Sequence, residues 1–458
     1  WERYRQLPSR LPGYAAATIR AGACLELLTR IGEAVVTYEA LASDFHRQGN
    51  EAMENGKAAV ALAHHQAARR IRTWLVERGQ QQASEPGLAA SHARCGDAAL
   101  LDGQGVLAQE SYLRAAELLE RLVSRGDDEG FVYAFAVARA NLGNVALVAG
   151  DPEAALQWYG KAIEGLEPMS KAAGRPGLRS QLARASFNRG NALLGLQRLD
   201  AAIQDFTVAI TLQAGEPDEL ALSFNNRGVA RRARGDVNGA ATDFEAALTA
   251  LQSSMPSKSA PAESLVPEDV ATHLEPRLRL DVVVGFSENA IEVLTRPRPA
   301  VRSSENERAV AVAVAARNRA YAALVQGQSE VALPHFENSA STYSSLVGRE
   351  GQRDLTPQLA ASFASLAWFL ATQPESSLRR GARAREYAWQ ACELSEWKDF
   401  APLDALAAAC AETGDFAGAA KWQAKATDSA PAARKPELYA RLRLYQSGTP
   451  YRAPKPRL

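Results

Sequence analysis

Cysteine is scarce in this chain: four among 458 residues, Cys24, Cys95, Cys392 and Cys410. That is too few for a disulfide framework, and none stands in the Cys-x-x-Cys spacing of a zinc ribbon. Excess charge of either sign is also missing, since 52 basic side chains match 52 acidic ones. A neutral chain has no global field with which to gather nucleic acid or an anionic membrane. No apolar run approaches the roughly 20 residues of a membrane span; the longest, Ala309 to Ala316, is short and is followed by Arg317. There is no G-x-x-x-x-G-K-S/T loop, no G-x-S-x-G and no H-E-x-x-H. The six histidines, at 46, 64, 65, 92, 273 and 335, are scattered. His92 and Cys95 share a helix face but have no third ligand nearby, so they read as packed side chains and not as a metal site. These absences point to a non-catalytic protein without metal or cofactor, in a reducing, cytoplasmic setting. The opening Trp1-Glu2-Arg3-Tyr4-Arg5 lacks the apolar stretch of a secretion signal. It also lacks Met, from which we expect the chain to be the downstream part of a longer polypeptide.

Small residues, by contrast, recur. Gln48-Gly49-Asn50 returns as Cys95-Gly96-Asp97, Leu142-Gly143-Asn144 and Arg189-Gly190-Asn191, with the four glycines 47 residues apart. Seven residues after each of the first three glycines stands another, Gly56, Gly103 and Gly150, and five further on an alanine, Ala61, Ala108 and Ala155; the fourth copy keeps Ala202. Self-similarity at a fixed period signals a stack of small units. The spacing describes a helical hairpin. The first small residue lies on helix A where helix B crosses closely, and the second glycine ends helix A in a left-handed turn. The alanine opens the packed face of helix B. A ring follows (Tyr112, Tyr159, Phe206), then another alanine (Ala115, Ala162, Ala209), so large and small residues alternate on one face. His65 occupies the ring position of the first copy and is expected to be a packed substitute for an aromatic. Aspartate after the turn glycine, as in Gly150-Asp151, Gly235-Asp236 and Gly414-Asp415, is placed to cap helix B.

This order of small residue, turn glycine, alanine, aromatic and alanine resembles the tetratricopeptide repeat. Further copies are Gly228/Gly235/Ala240/Phe244/Ala247, Ala320/Gly327/Ala332/Phe336, Ala367/Ala384/Ala391 with a longer turn, and Ala407/Gly414/Ala419/Ala426/Pro431. Repeated joints such as Leu75-Val76-Glu77-Arg78-Gly79 and Leu122-Val123-Ser124-Arg125-Gly126 resemble the long-repeat arrays of large bacterial signalling proteins. The resemblance implies an all-α fold: a right-handed superhelical solenoid of antiparallel helix pairs that binds other proteins. We expect an incomplete opening hairpin over 1–30, a block of about five repeats over 31–252 and an irregular connector with one degenerate repeat over 253–304. A block of about three repeats over 305–435 and a final helix with tail over 436–458 follow.

Two polar positions flank the small residue of helix A. Two residues before it come Arg47, Arg94, Asn141, Asn188, Asn226 and Asn318; one after it come Asn50, Asp97, Asn144 and Asn191. In the family these positions face an inner groove. The resemblance therefore implies that Asn50, Asn141, Asn144, Asn188, Asn191, Asn226 and Asn318 form a ladder of amides against an extended peptide. Arg189, Arg227 and Arg319 beside it would suit an acidic stretch. The leading expectation is a non-enzymatic scaffold for a protein or peptide partner, with no nucleic acid and no membrane. Its rivals are the sensor or regulatory arm of a larger signalling enzyme, such as a kinase or protease, and a self-assembling structural solenoid. The Arg-Gly-Asp triplets at 125–127 and 234–236 coincide with repeated joints and turns, which argues against an adhesion role.

Overall fold

The structure, a computed structural model, describes residues 31–79, 81–126, 129–170, 176–213, 217–253, 305–348 and 352–454. The expected opening hairpin, with Cys24, and the expected connector, with His273, lie outside the described residues. Among those described there are seventeen α-helices and no strand. They form two compact units, one ending at Gln213 and the other beginning beyond it.

The first unit holds four hairpins: α1 (Ile31–Glu54) with α2 (Ala58–Glu77), α3 (Gln81–Leu101) with α4 (Gly105–Arg125), α5 (Glu129–Val148) with α6 (Pro152–Ser170), and α7 (Pro176–Gly195) with α8 (Leu199–Leu212). The second holds α9 (Pro217–Arg234) with α10 (Val237–Ser253), α11 (Glu305–Val325) with α12 (Ser329–Gly348), α13 (Thr356–Thr372) with α14 (Gly381–Leu394), and α15 (Phe400–Glu412) with α16 (Phe416–Ser429), closed by α17 (Lys435–Gln446). Odd numbers through α15 are A helices and even numbers are B helices.

The hairpins are built as the spacing requires. A Cβ added at Gly143 would stand 2.6 Å from the ring of Tyr159, and one at Gly96, Gly190 or Gly228 would come within 2.8 Å of Tyr112, Phe206 or Phe244. These four rings are fully buried, as are the alanines Ala108, Ala155, Ala202 and Ala240 that open each packed face. In the first hairpin His65 takes the ring's place against Gly49 and is buried. The turn residue Gly150 has φ 78°, but the fourth hairpin makes the same turn with Gln197 at φ 58°, a conformation that a side chain disfavours. The capping aspartates act as expected: Gly239 N–H donates to Asp236 Oδ1 at 2.9 Å, Gly418 N–H to Asp415 at 2.9 Å, and Ala154 N–H to Asp151 at 3.0 Å.

Gly143→Ala tests the close approach. Tyr159 is pinned at its far end by a hydrogen bond to Asn144, so it has little freedom to swing away. Overpacking of this kind costs about 1–3 kcal/mol, more than the ~1 kcal/mol that alanine returns in helix propensity. Gly160→Ala is the control, because nothing lies within 4 Å of its added Cβ. We expect opposite signs in urea denaturation, a loss at Gly143 and a small gain at Gly160; a gain at both would mean that the ring is not held.

The helices α10 and α11 pack on each other: Ala247, Leu248 and Leu251 share a core with Ala311, Ala315 and Ala316, and Asn318 Nδ2 donates to Asn225 Oδ1 at 2.9 Å. The connector with a degenerate repeat expected between them lies outside the described residues. One expectation, on apolar runs, is corrected: within α5, Gly130–Val148 is long and apolar enough to cross a membrane by length and composition. Half of that stretch is buried inside the protein, and Asn141 and Asn144 in it are hydrogen-bonded to each other, as befits the core helix of a stack.

Candidate peptide-binding face

In the first unit the A helices bring Asn141, Asn144 and Asn188 together. Tyr159 Oη donates to Asn144 Oδ1 at 2.7 Å, and Asn188 Nδ2 donates to the same oxygen at 3.0 Å. Asn144 Nδ2 reaches Asn141 Oδ1 at 3.4 Å. With the Tyr159 hydroxyl donating to Asn144 Oδ1, the Asn144 amide turns its nitrogen to Asn141 and its oxygen to Asn188. The relay therefore has two unused ends, an amide nitrogen on Asn141 and an amide oxygen on Asn188. One can donate to a carbonyl and the other can accept an N–H, which are the two groups an extended backbone offers.

Beside the donor end lies a cavity of about 230 Å³ between α3 and α5. Ala89, Ala93, Phe131, Ala134, Val137 and Leu119 give it apolar walls, while Asp97 and Asn141 supply its polar atoms. It is smaller than the roughly 300–1,000 Å³ of small-molecule pockets and suits one apolar side chain of a protein segment. Asp97 Oδ1 accepts from Tyr112 Oη at 2.7 Å, and the Arg94 guanidinium stands 3.8 Å from its other oxygen.

The remaining sequence candidates are placed differently. Asn50 is half-buried on α1 and makes no side-chain hydrogen bond; Asn191 is half-buried on α7. Asn226 and Asn318, in the second unit, are fully buried. There the amide that joins successive A helices is Asn225, one residue before the expected one, which donates to Asn226 at 3.1 Å and accepts from Asn318. The arginines are held by acids. Arg189 grips Asp205 with two bonds of 2.7 Å, which raises the guanidinium pKa, and Arg227 grips Asp243 at 3.0 and 2.7 Å. Arg319 meets Glu245 at 3.1 Å. The signal for the first two pairs was present in the sequence: each carboxylate immediately precedes the helix B ring, Phe206 or Phe244.

The isolated histidine and cysteine are structural in their surroundings. Burial pushes the Cys95 thiol up to about 12 and His92 down to about 4. Two further arginines are tied as well. Arg231 bonds Asp243 at 2.9 Å, and Arg379 bonds Glu412 at 2.9 Å and the carbonyls of Gln373 and Pro374. Of the two Arg-Gly-Asp triplets, the second ends in the capping Asp236, and Asp127 of the first lies outside the described residues.

Stacked antiparallel hairpins with a ring seated on a small residue define an all-α helical-repeat fold. The tetratricopeptide repeat profile matches residues 183–215, which span α7 and α8. The chain thus carries a tetratricopeptide repeat over these residues, a module whose proteins are generally non-catalytic scaffolds for other proteins. No curated protein sequence matches it. Among solved structures it is similar to the C-terminal part of a TPR repeat-containing protein from Cytophaga hutchinsonii, at 14% identity over 79% of this chain and 99% of that one, TM-score 0.39. It is also similar to a tetratricopeptide repeat protein from Parabacteroides merdae, at 14% identity over 78% and 98%, TM-score 0.38. A third is BtubC from P. vanneervenii, at 16% identity over 56% and 96%, TM-score 0.42.

Proposed function

We propose that this protein is a non-catalytic scaffold that holds an extended segment of a partner protein along the A-helix face of its first unit. The observation that carries the reading is the asparagine relay, with a free donor on Asn141 at the edge of an apolar cavity and a free acceptor at its other end on Asn188. The segment would lay its backbone across the two amides and insert one aliphatic or aromatic side chain against Phe131 and Ala134. The arginines first assigned to an acidic ligand are already paired, so selectivity at this face comes from shape and backbone contacts. A reducing, cytoplasmic setting suits Cys95, Cys392 and Cys410, which are buried free thiols.

The test starts from peptides selected on the full chain from a random display library. Asn188→Ala removes one end of the relay from a half-buried position, and a hydrogen bond contributes about 1 kcal/mol net. Affinity for the selected peptides is expected to fall about five- to tenfold, with the melting temperature nearly unchanged. Asn226→Ala, inside the second unit, should leave these affinities alone. Peptides that ignore Asn188→Ala would place the site elsewhere.

A further inference from the structure

We propose that the B helices of the second unit carry a separate docking surface, a tryptophan cluster flanked by two lysines, that takes an acidic protein segment. Trp389 on α14, Trp397 in the turn after it and Trp422 on α16 meet ring to ring. Trp389 lies edge-on to Trp397 at 4.9 Å and to Trp422 at 6.3 Å, and Trp397 stacks on Trp422 at 5.0 Å. Trp389 is 42% exposed and the other two are half-buried. Three of the chain's seven tryptophans thus share one patch at the surface. Indole area left in water at one place marks an interface more often than a fold requirement, because tryptophan is the residue most enriched among binding hot spots.

The backbone is bent to hold the cluster. Glu396 and Trp397 have φ of 52° and 60°, a left-handed conformation that residues with side chains seldom adopt. Trp397 N–H closes the turn on Cys392 C=O at 2.8 Å. A helix end of this kind needs one left-handed residue, Glu396; Trp397 is a second, and its ring is the one that stacks on Trp422. Strain kept at a surface position is a mark of function.

Charge decides the partner. The Lys421 ammonium stands 4.9 Å from the Trp422 ring centre, and that of Lys425 stands 5.4 Å from Trp397 and 5.8 Å from Trp422. Among the described residues neither lysine pairs with a carboxylate. The neighbouring acids are occupied, Glu393 by the Trp389 indole N–H at 2.9 Å and Glu396 by Lys398. Two unpaired ammonium groups over indole faces are complementary to carboxylates, and the open face of Trp389 is complementary to an aliphatic or aromatic neighbour of those carboxylates. Single-stranded nucleic acid fits less well, since it needs a continuous basic track along its stacking platforms, and here Glu393 and Glu396 stand at the edge.

The surface lies on B helices of the second unit and does not depend on the A-helix reading above. The full chain is titrated by fluorescence anisotropy with a short labelled peptide of Asp, Glu and Leu, with its Asn/Gln/Leu counterpart, and with labelled oligothymidylate. The acidic peptide is expected to bind at least about tenfold tighter than its amide counterpart and to weaken with salt. Lys421→Glu/Lys425→Glu, at exposed positions, should lower that affinity at least tenfold, and Trp389→Ala severalfold, with unchanged melting; Asn188→Ala should leave it alone. Equal binding of the amide peptide, indifference to Lys421→Glu/Lys425→Glu, or a preference for oligothymidylate would each overturn the proposal.

Discussion

Asp404→Ala is expected to lower the stability of the second unit by about 3–5 kcal/mol, the usual loss when one partner of a buried ion pair is removed. Asp404 on α15 receives Arg441 of α17 through two bonds, of 3.0 and 2.9 Å, and Gln423 of α16 at 2.8 Å, so one carboxylate ties three helices. Both charged side chains are at least nine-tenths buried, and the guanidinium stands 5.0 Å from the ring centre of Trp368 and 5.4 Å from that of Tyr451. Burial pushes the Asp404 carboxyl upward against the opposing pull of Arg441 and Gln423. Removing the acid leaves the Arg441 cation buried without its carboxylate partner. The tail should loosen with it, because Tyr451 packs on Trp368, Arg452 pairs with Glu412 at 2.6 Å and Ala453 N–H donates to Thr372 C=O at 2.8 Å. Asp404→Leu/Arg441→Met removes both charges together and is expected to recover most of the loss, as apolar replacement of a buried pair often does. Urea denaturation of the two variants separates the cases; a double variant as weak as the single would show that packing, and not the stranded charge, sets the cost.

The second large effect is a loss of stability in acid that begins near neutrality. His46 Nε2 contacts Ser91 Oγ at 2.8 Å, and His46 Nδ1 contacts His65 Nδ1 at 3.1 Å. Ser91 gives its proton to Gly87 C=O and accepts from Arg72 Nη1 at 3.0 Å, so His46 must donate to it from Nε2. His46 Nδ1 is then an acceptor, His65 Nδ1 carries the proton, and His65 Nε2 is a bare nitrogen, buried and without a partner. Burial disfavours a charge on either ring, so both are neutral in the folded protein near neutral pH. Burial, with Arg72, His65 and Arg94 around His46, lowers that ring to about 2; burial, with Arg94 and His64, lowers His65 to about 3. Glu39, beside the cluster, is held by Arg72 at 2.9 Å.

The sign follows from proton uptake on unfolding. Above pH 6.5 neither state binds a proton at these rings and their stabilising contribution is complete. As pH falls below 6.5 the unfolded chain takes up protons that the folded chain refuses, and stability declines until the folded values are reached. Between pH 7 and pH 5 each ring should remove about 2 kcal/mol from the first unit. His65→Phe, the ring that the fourth hairpin uses, combined with His46→Gln should flatten this dependence. Denaturation at both pH values measures it, and a double variant with the wild-type slope would show that other groups are responsible.

The hairpins were legible because their determinants are local and periodic. A glycine or alanine on helix A, a left-handed turn, and a ring on helix B sit at set separations, so Gly143 and Tyr159 could be matched before any helix was placed. Even the substitution of His65 for a ring could be read this way. The relay at Asn141, Asn144 and Asn188 was legible only as a list of amides. Which of them meet depends on how each A helix is rotated against the next, and a shift of one residue makes Asn225 the bridge where Asn226 was expected.

The order of small and large side chains thus determined by itself that the chain folds as paired helices and where each pair turns, since close crossing and left-handed turns admit few residue types. Only the tertiary structure decided which polar groups are already satisfied and which remain for a partner. Arg189 and Arg227 are held by carboxylates, Asn141 and Asn188 keep one free group each, and Lys421 and Lys425 rest unpaired on a tryptophan cluster drawn from two helices and a turn. The two arginine pairs share one separation along the chain, but which amides meet and which lysines stay unpaired depends on how neighbouring helices rotate and pack against each other, which no spacing rule contains.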